Sequence, residues 1–191
     1  MIYPIAILAA TVLFTVIAWR DVRHAAFLIA AALPAYLLRF SIGPVPMTFL
    51  EVMILIVFAV WVLQTKPSPR AIVPKEWILP MSLLLAAATI GILVAPDRAS
   101  ALGVWKAFYL EPMMLFLVIA DLVRRDQKTA DGLMTALMAG GLFVAVIAIA
   151  QKITGLGIPI PWDVEGRVTS VFPYPNAVGL YLGPIAVMGA L

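Results

Sequence analysis

Phe49-Leu50-Glu51-Val52-Met53-Ile54-Leu55-Ile56-Val57-Phe58-Ala59-Val60-Trp61-Val62-Leu63-Gln64 decides the fold. From Ile54 to Val60 every position is apolar. A membrane-spanning strand would alternate over about ten residues. In hydrocarbon an unbroken apolar segment satisfies its backbone N–H and C=O groups as a helix. The start of the run is also written in the sequence. Thr48 and Glu51 have capping-box spacing, so each side chain can serve the other's backbone N–H as the helix begins.

Working outward, six further apolar runs flank this one: Ile2 to Ala18, Ala25 to Phe40, Trp77 to Ala95, Phe108 to Val123, Leu133 to Gln151, and Ala177 to Leu191. Each approaches the roughly 20 residues that cross a bilayer core. Pro34 kinks the second run, and Asp131 is a start signal before the sixth. The expected fold is all-α: one transmembrane domain over residues 1–191, with about six complete spans and a truncated seventh. That last run reaches Leu191 without a basic stop or cap, so the chain is expected to be the amino-terminal part of a longer protein.

Composition agrees. Of 191 residues 64% are hydrophobic and 12% charged, with a mean hydropathy of +1.07. A water-soluble domain carries about twice that share of charge. The net charge of +3 does not imply a nucleic-acid partner, because the 13 Lys and Arg residues lie in short clusters between apolar runs. Eight of them, Arg20, Arg23, Lys66, Arg70, Lys75, Arg124, Arg125 and Lys128, fall in alternate connections. The other five, Arg39, Arg98, Lys106, Lys152 and Arg167, fall in the remainder. The positive-inside rule puts the larger set in the cytoplasm and Arg167 outside. Ile2 to Ala18 lacks a basic region before it and a small-residue cleavage site after it, so it is read as a retained span.

Absence of Cys excludes disulfides, thiolate-bound zinc and a thiol nucleophile. The sole histidine, His24, lies beside Arg23 in a cytoplasmic connection and is read as a solvated loop residue. No phosphate-binding glycine loop, zincin motif or nucleophile elbow occurs, and no metal or cofactor is expected.

The candidate chemistry gathers in the outer connections. Pro159, Pro161, Pro173 and Pro175 mark Thr154 to Pro175 as an ordered, extended outer loop with Trp162 near the interface. Asn176, the only asparagine, stands where the seventh helix begins. It either caps that helix or joins Arg167, Thr169 and Ser170 in binding a phosphate. Gly179 and Gly183 suit close helix approach. Lys106 and Glu111 bring a cation and a carboxylate to the outer edge of the fifth span, where Pro112 marks the start of regular helix. Glu111 either pairs with Lys106 or Arg98 or faces a polar cavity, since a lone carboxylate in lipid is costly. Arg39 and Glu51 flank another outer loop; they are an interface anchor and a cap, or parts of one outward-facing polar site.

The order of these features resembles the O-antigen ligase and polymerase family of bacterial envelope glycosyltransferases. Tyr36-Leu37-Leu38-Arg39-Phe40, Gly43, Pro46-Met47-Thr48 and Leu50-Glu51 are similar to its amino-terminal region. Trp105-Lys106-Ala107-Phe108 with Leu110-Glu111-Pro112 resembles its middle signature. Arg167-Val168-Thr169-Ser170-Val171-Phe172 and Tyr174-Pro175-Asn176-Ala177-Val178-Gly179-Leu180-Tyr181-Leu182 resemble the arginine-to-proline-asparagine motif before its core domain.

The resemblance implies a multi-pass protein of the bacterial inner membrane. Such an enzyme moves a glycan from an undecaprenyl-diphosphate donor to a hydroxyl of a glycan, lipid or protein acceptor, using neither metal nor nucleotide sugar. It implies diphosphate binding by Arg167, with Asn176, Arg39, Lys106, Glu111 and Glu51 as further substrate-site candidates. The family's functional histidine is expected beyond Leu191, so the residues present are expected to be inactive alone. A small-solute transporter is the competing reading, but the charges gather at one face and no internal repeat is visible.

Overall fold

The computed structural model describes residues 2–43, 45–66, 73 and 75–190, and the side chains of all of these except 2–4, 42 and 45. The structure is mostly helical. Helix α1 spans Ile2–Arg20 and α2 spans Val22–Ala31. Asp21 starts α2 by accepting from the backbone N–H groups of Arg23 and His24.

The expected span from Ala25 to Phe40 is corrected here. Regular helix stops at Ala31, and Leu33–Leu37 tightens into a 3₁₀ turn containing Pro34. Proline has no N–H to give and its ring clashes with the preceding turn. The chain then forms a two-stranded antiparallel hairpin, β1 (Arg39–Ile42) and β2 (Val45–Thr48), in which Arg39 faces Thr48 and Ser41 faces Pro46. Gly43 turns between the strands at φ +60°. A purely helical chain does not include this hairpin.

Helix α3 follows at Phe49–Thr65. Its capping box is formed: the Glu51 N–H donates to Thr48 Oγ1 at 3.2 Å, and the Thr48 N–H donates to Glu51 Oε2 at 3.3 Å. Helix α4 occupies Lys75–Val94. The next helix begins at Arg98 rather than Phe108, started by Asp97, which accepts from the N–H groups of Ala99 and Ser100. It comprises α5 (Arg98–Trp105), a wide π turn at Lys106–Leu110, and α6 (Glu111–Arg125). Pro112 thus marks where regular helix resumes, not where the span starts. Helices α7 (Lys128–Thr154) and α8 (Pro175–Gly189) are the last elements among the described residues. Asp131 lies in the first turn of α7 rather than at its cap.

Among the described residues three helices are long and apolar enough to cross a membrane: Lys75–Val94, Arg98–Arg125 and Lys128–Thr154. Ile5–Arg20, Val22–Ala31 and Phe49–Thr65 are shorter apolar helices.

The main core joins α1, α2, α3 and α6 through Phe14, Ala18, Ile29, Val57, Trp61 and Val118. A smaller core sets Val144 of α7 against Phe172 and Ala177, with Tyr36 and Tyr181 packed around them. The closest helix approaches are at glycines of α7, not at Gly179 and Gly183 of α8. A Cβ on Gly140 would stand 2.3 Å from the Ala31 carbonyl oxygen, and one on Gly141 would stand 3.0 Å from Ile185. Gly179 and Gly183 have no described atom within 4 Å of that position, so the expected close contact at this pair is absent among the described residues.

The alternating connections gather at two ends. At one end Gln64 donates to the Trp19 carbonyl, and Arg23 pairs with Asp126 at 2.9 Å. Asp121 there is buried and holds the Trp61 indole N–H, Arg124 and Arg125. His24 is exposed beside Asp21, whose carboxyl, despite partial desolvation, is held below its usual range by hydrogen bonds from His24 and backbone amides. Arg70, assigned to this end by sequence, lies outside the described residues, as does Leu191.

Candidate functional site

The opposite end carries the candidate residues, in two groups on either side of the hairpin. In the first, Lys106 Nζ stands 2.8 Å from Glu51 Oε2 and 3.9 Å from Glu111 Oε1. Its third neighbour is the Pro46 carbonyl of β2 at 3.5 Å. One cation thus serves two carboxylates, and Lys106, not Arg98, is the group beside Glu111.

The backbone explains this meeting. The capping box fixes Glu51 at the start of α3, while the π turn delivers Lys106 and Glu111 from the facing helix. In that turn the Glu111 N–H reaches back to the Lys106 carbonyl. The extra residue rotates the helix locally, a distortion common at functional sites. Glu111 is 1% exposed, and its Oε1 has no hydrogen-bond partner among the described residues. Glu51 is both a cap and an ion-pair partner of Lys106.

The second group is built on the α7–α8 connection. The expected extended loop is corrected to a compact series of turns, in which the Trp162 N–H donates to the Pro159 carbonyl and the Arg167 N–H to that of Trp162. Gly166 at φ +60° permits the reversal. These contacts place the Arg167 guanidinium 5.2 Å above the Trp162 ring, a cation–π distance. Its Nη2 donates to Asn176 Oδ1 at 3.1 Å and its Nη1 to Glu165 Oε2 at 3.3 Å.

Asn176 therefore does not cap α8. Tyr174 is the cap residue without a side-chain cap bond, Pro175 is the first helical residue, and Asn176 points its oxygen at Arg167. Proline at the first helical position removes a donor that would have needed a partner and frees the asparagine for that contact. Arg167 remains 45% exposed, so an anion can reach it.

Sequence reading missed Gln151. This buried side chain near the end of α7 holds the connection by four hydrogen bonds. Its Oε1 accepts from the Thr169 and Ser170 N–H groups at 3.0 and 2.7 Å. Its Nε2 donates to the Gly157 and Ser170 carbonyls, both at 3.0 Å. Ser170, at φ +53°, donates its hydroxyl to the Val144 carbonyl at 2.7 Å. Thr169 and Ser170 are thus buried, with their backbone N–H groups held by Gln151. The only advance signal for Gln151 was one amide in an otherwise apolar helix end.

Arg39 lies between the groups. It stands opposite Thr48 in the hairpin and lines an open cavity of about 570 Å³ with Gly157, Pro159 and the Thr169–Pro173 segment. The structure brings Lys106, Glu51 and Glu111 into one cluster and Arg167 with Asn176 into another; it does not bring the two clusters into contact. No family model, curated protein or solved structure matches this chain.

Proposed function

We propose that this chain belongs to a membrane glycan ligase or polymerase of the bacterial inner membrane. The substrate is a glycan carried on undecaprenyl diphosphate, and the acceptor is a hydroxyl of a glycan, lipid or protein at the outer face. The observation that carries the reading is the Arg167 guanidinium, held on Trp162, Asn176 and Glu165 yet still 45% exposed, beside an apolar helix bundle. A lipid-linked diphosphate needs such a cation at the end of a bundle whose sides face acyl chains.

In the transfer, the acceptor oxygen forms a bond to the anomeric carbon as the anomeric bond to the diphosphate breaks. The electron pair leaves with undecaprenyl diphosphate, and the hydroxyl proton passes to a general base, a role assigned to none of the described residues. Arg167 contributes by offsetting charge that grows on the departing diphosphate, an effect that lowers the barrier directly. Asn176 positions the guanidinium. Arg39 supplies a second cation beside the open cavity. Lys106 is occupied by Glu51 and Glu111, so that cluster orders the hairpin and helix starts around the site.

Membranes carrying the complete reading frame are to be assayed for transfer from an undecaprenyl-diphosphate donor, with Arg167→Ala compared at equal protein level. Transfer abolished by Arg167→Ala supports the reading. An absence of transfer by the wild type, together with substrate-dependent solute flux, would move the assignment to a transporter.

A further inference from the structure

We infer that the α7–α8 connection is itself a membrane-surface element, inserting its apolar tips into the headgroup and acyl boundary at that end of the bundle. The inference is independent of the transfer reaction. It begins with a stripe on α7. Leu142, Val146, Ile149 and Ile153 recur at helical spacing, and all are exposed. This is the face that a helix of such length and apolarity turns to lipid.

The stripe does not stop where the helix stops. Leu156, Ile160 and Val164, each in the turn-built connection, are 75%, 84% and 87% exposed. Connections in water rarely present three large aliphatic side chains so fully, and such a patch marks an interaction surface. The segment leaves directly from the apolar end of α7, a helix long and apolar enough to cross a membrane, and this commits the patch to lipid rather than to a protein partner.

Two cations and a tryptophan beside the tips fit the same partner, and of the two exposed carboxylates that adjoin Val164, Asp163 and Glu165, the second is paired with Arg167. Lys152 and Arg167 are folded back over the connection, onto the Gly166 carbonyl and the Trp162 ring respectively. Cations and tryptophan are the residue types that anchor protein at the membrane interface. Gln151 holds the Gly157, Thr169 and Ser170 backbone groups at the base of the connection, and turn bonds within residues 159–167 serve part of the backbone at its tip. An irregular segment can sit at that depth only when its backbone is served in this way.

The chain contains no cysteine, so single-cysteine variants label at one place. Ile160→Cys, Val164→Cys and Val146→Cys of the full chain are to be labelled with an environment-sensitive fluorophore. Each is then reconstituted in phosphatidylglycerol–phosphatidylethanolamine vesicles containing lipids brominated near the headgroup or deep in the chains. Labels at positions 160 and 164 are expected to show blue-shifted emission and to lose intensity mainly with shallow bromines, while position 146 loses it mainly with deep ones. Position 146 verifies insertion of each preparation. Iodide-accessible, red-shifted labels at 160 and 164 would overturn the inference. So would blue-shifted emission insensitive to either brominated lipid, which would mean that protein covers the patch.

Discussion

Replacing Gln151 by methionine keeps the length and removes all four hydrogen bonds. The Thr169 and Ser170 N–H groups then lose their acceptor in residues that are 0% and 8% exposed. Leaving a buried donor unpaired costs about 1–3 kcal/mol, so the two together cost about 2–6 kcal/mol before the orphaned carbonyls are considered. Gln151→Glu retains acceptors for both N–H groups but loses the donor to the Gly157 and Ser170 carbonyls, and is expected to fall between wild type and methionine. Thermal unfolding of the purified protein in detergent measures the global loss, and limited proteolysis between residues 155 and 170 reports local opening. Both variants should cleave faster in this segment than wild type. If Gln151→Met stayed within about 0.5 kcal/mol of wild type, as a neutral surface substitution does, with an unchanged cleavage pattern, the clamp argument would be refuted.

Lys106→Met should destabilise by about 3 kcal/mol, because it leaves two shielded carboxylates without their cation. Adding Glu51→Gln and Glu111→Gln to it should recover much of the loss in the same unfolding assay. Gly140→Ala should cost about 1–3 kcal/mol by overpacking against the Ala31 carbonyl; Gly183→Ala, which meets open space, should be neutral or stabilising in parallel melts. The Asp97 carboxyl is held below the usual 3.8 by hydrogen bonds from the Ser100 hydroxyl and from backbone amides. A depressed folded value means that the cap's contribution is fully present above about pH 3.8 and is lost as pH falls through the lower folded value. The melting difference between wild type and Asp97→Ala should therefore shrink only under those acidic conditions.

Much of the helical layout was legible because apolar runs and caps are local signals. The start of α3 is the clearest case: Thr48 and Glu51 are three residues apart and perform what that spacing predicts. The break after Ala31 was visible as Pro34, but the hairpin was not, since Arg39–Ile42 gains its partner strand only in three dimensions. The start of α5 was hidden because Arg98, Ser100 and Lys106 interrupt the apolar pattern that identified the other spans. At the site, Lys106 and Glu111 are close in sequence and their proximity was expected, whereas the third member, Glu51, arrives from α3. Asn176 looked like a helix cap because it adjoins Pro175; its contact with Arg167 depends on how the intervening turns fold. Gln151 was the least legible, since its partners lie 6 to 19 residues away and are backbone groups of no particular residue type.

The proposed transfer requires the Arg167 end of the bundle to hold a lipid-linked diphosphate. The direct measurement is binding of undecaprenyl diphosphate to the full-chain protein in nanodiscs, compared with undecaprenyl monophosphate and with Arg167→Ala. The account predicts tighter binding of the diphosphate by wild type and loss of that preference in Arg167→Ala, with the unfolding midpoint unchanged. Equal affinity for the two lipids, or a diphosphate preference that survives Arg167→Ala, would contradict it.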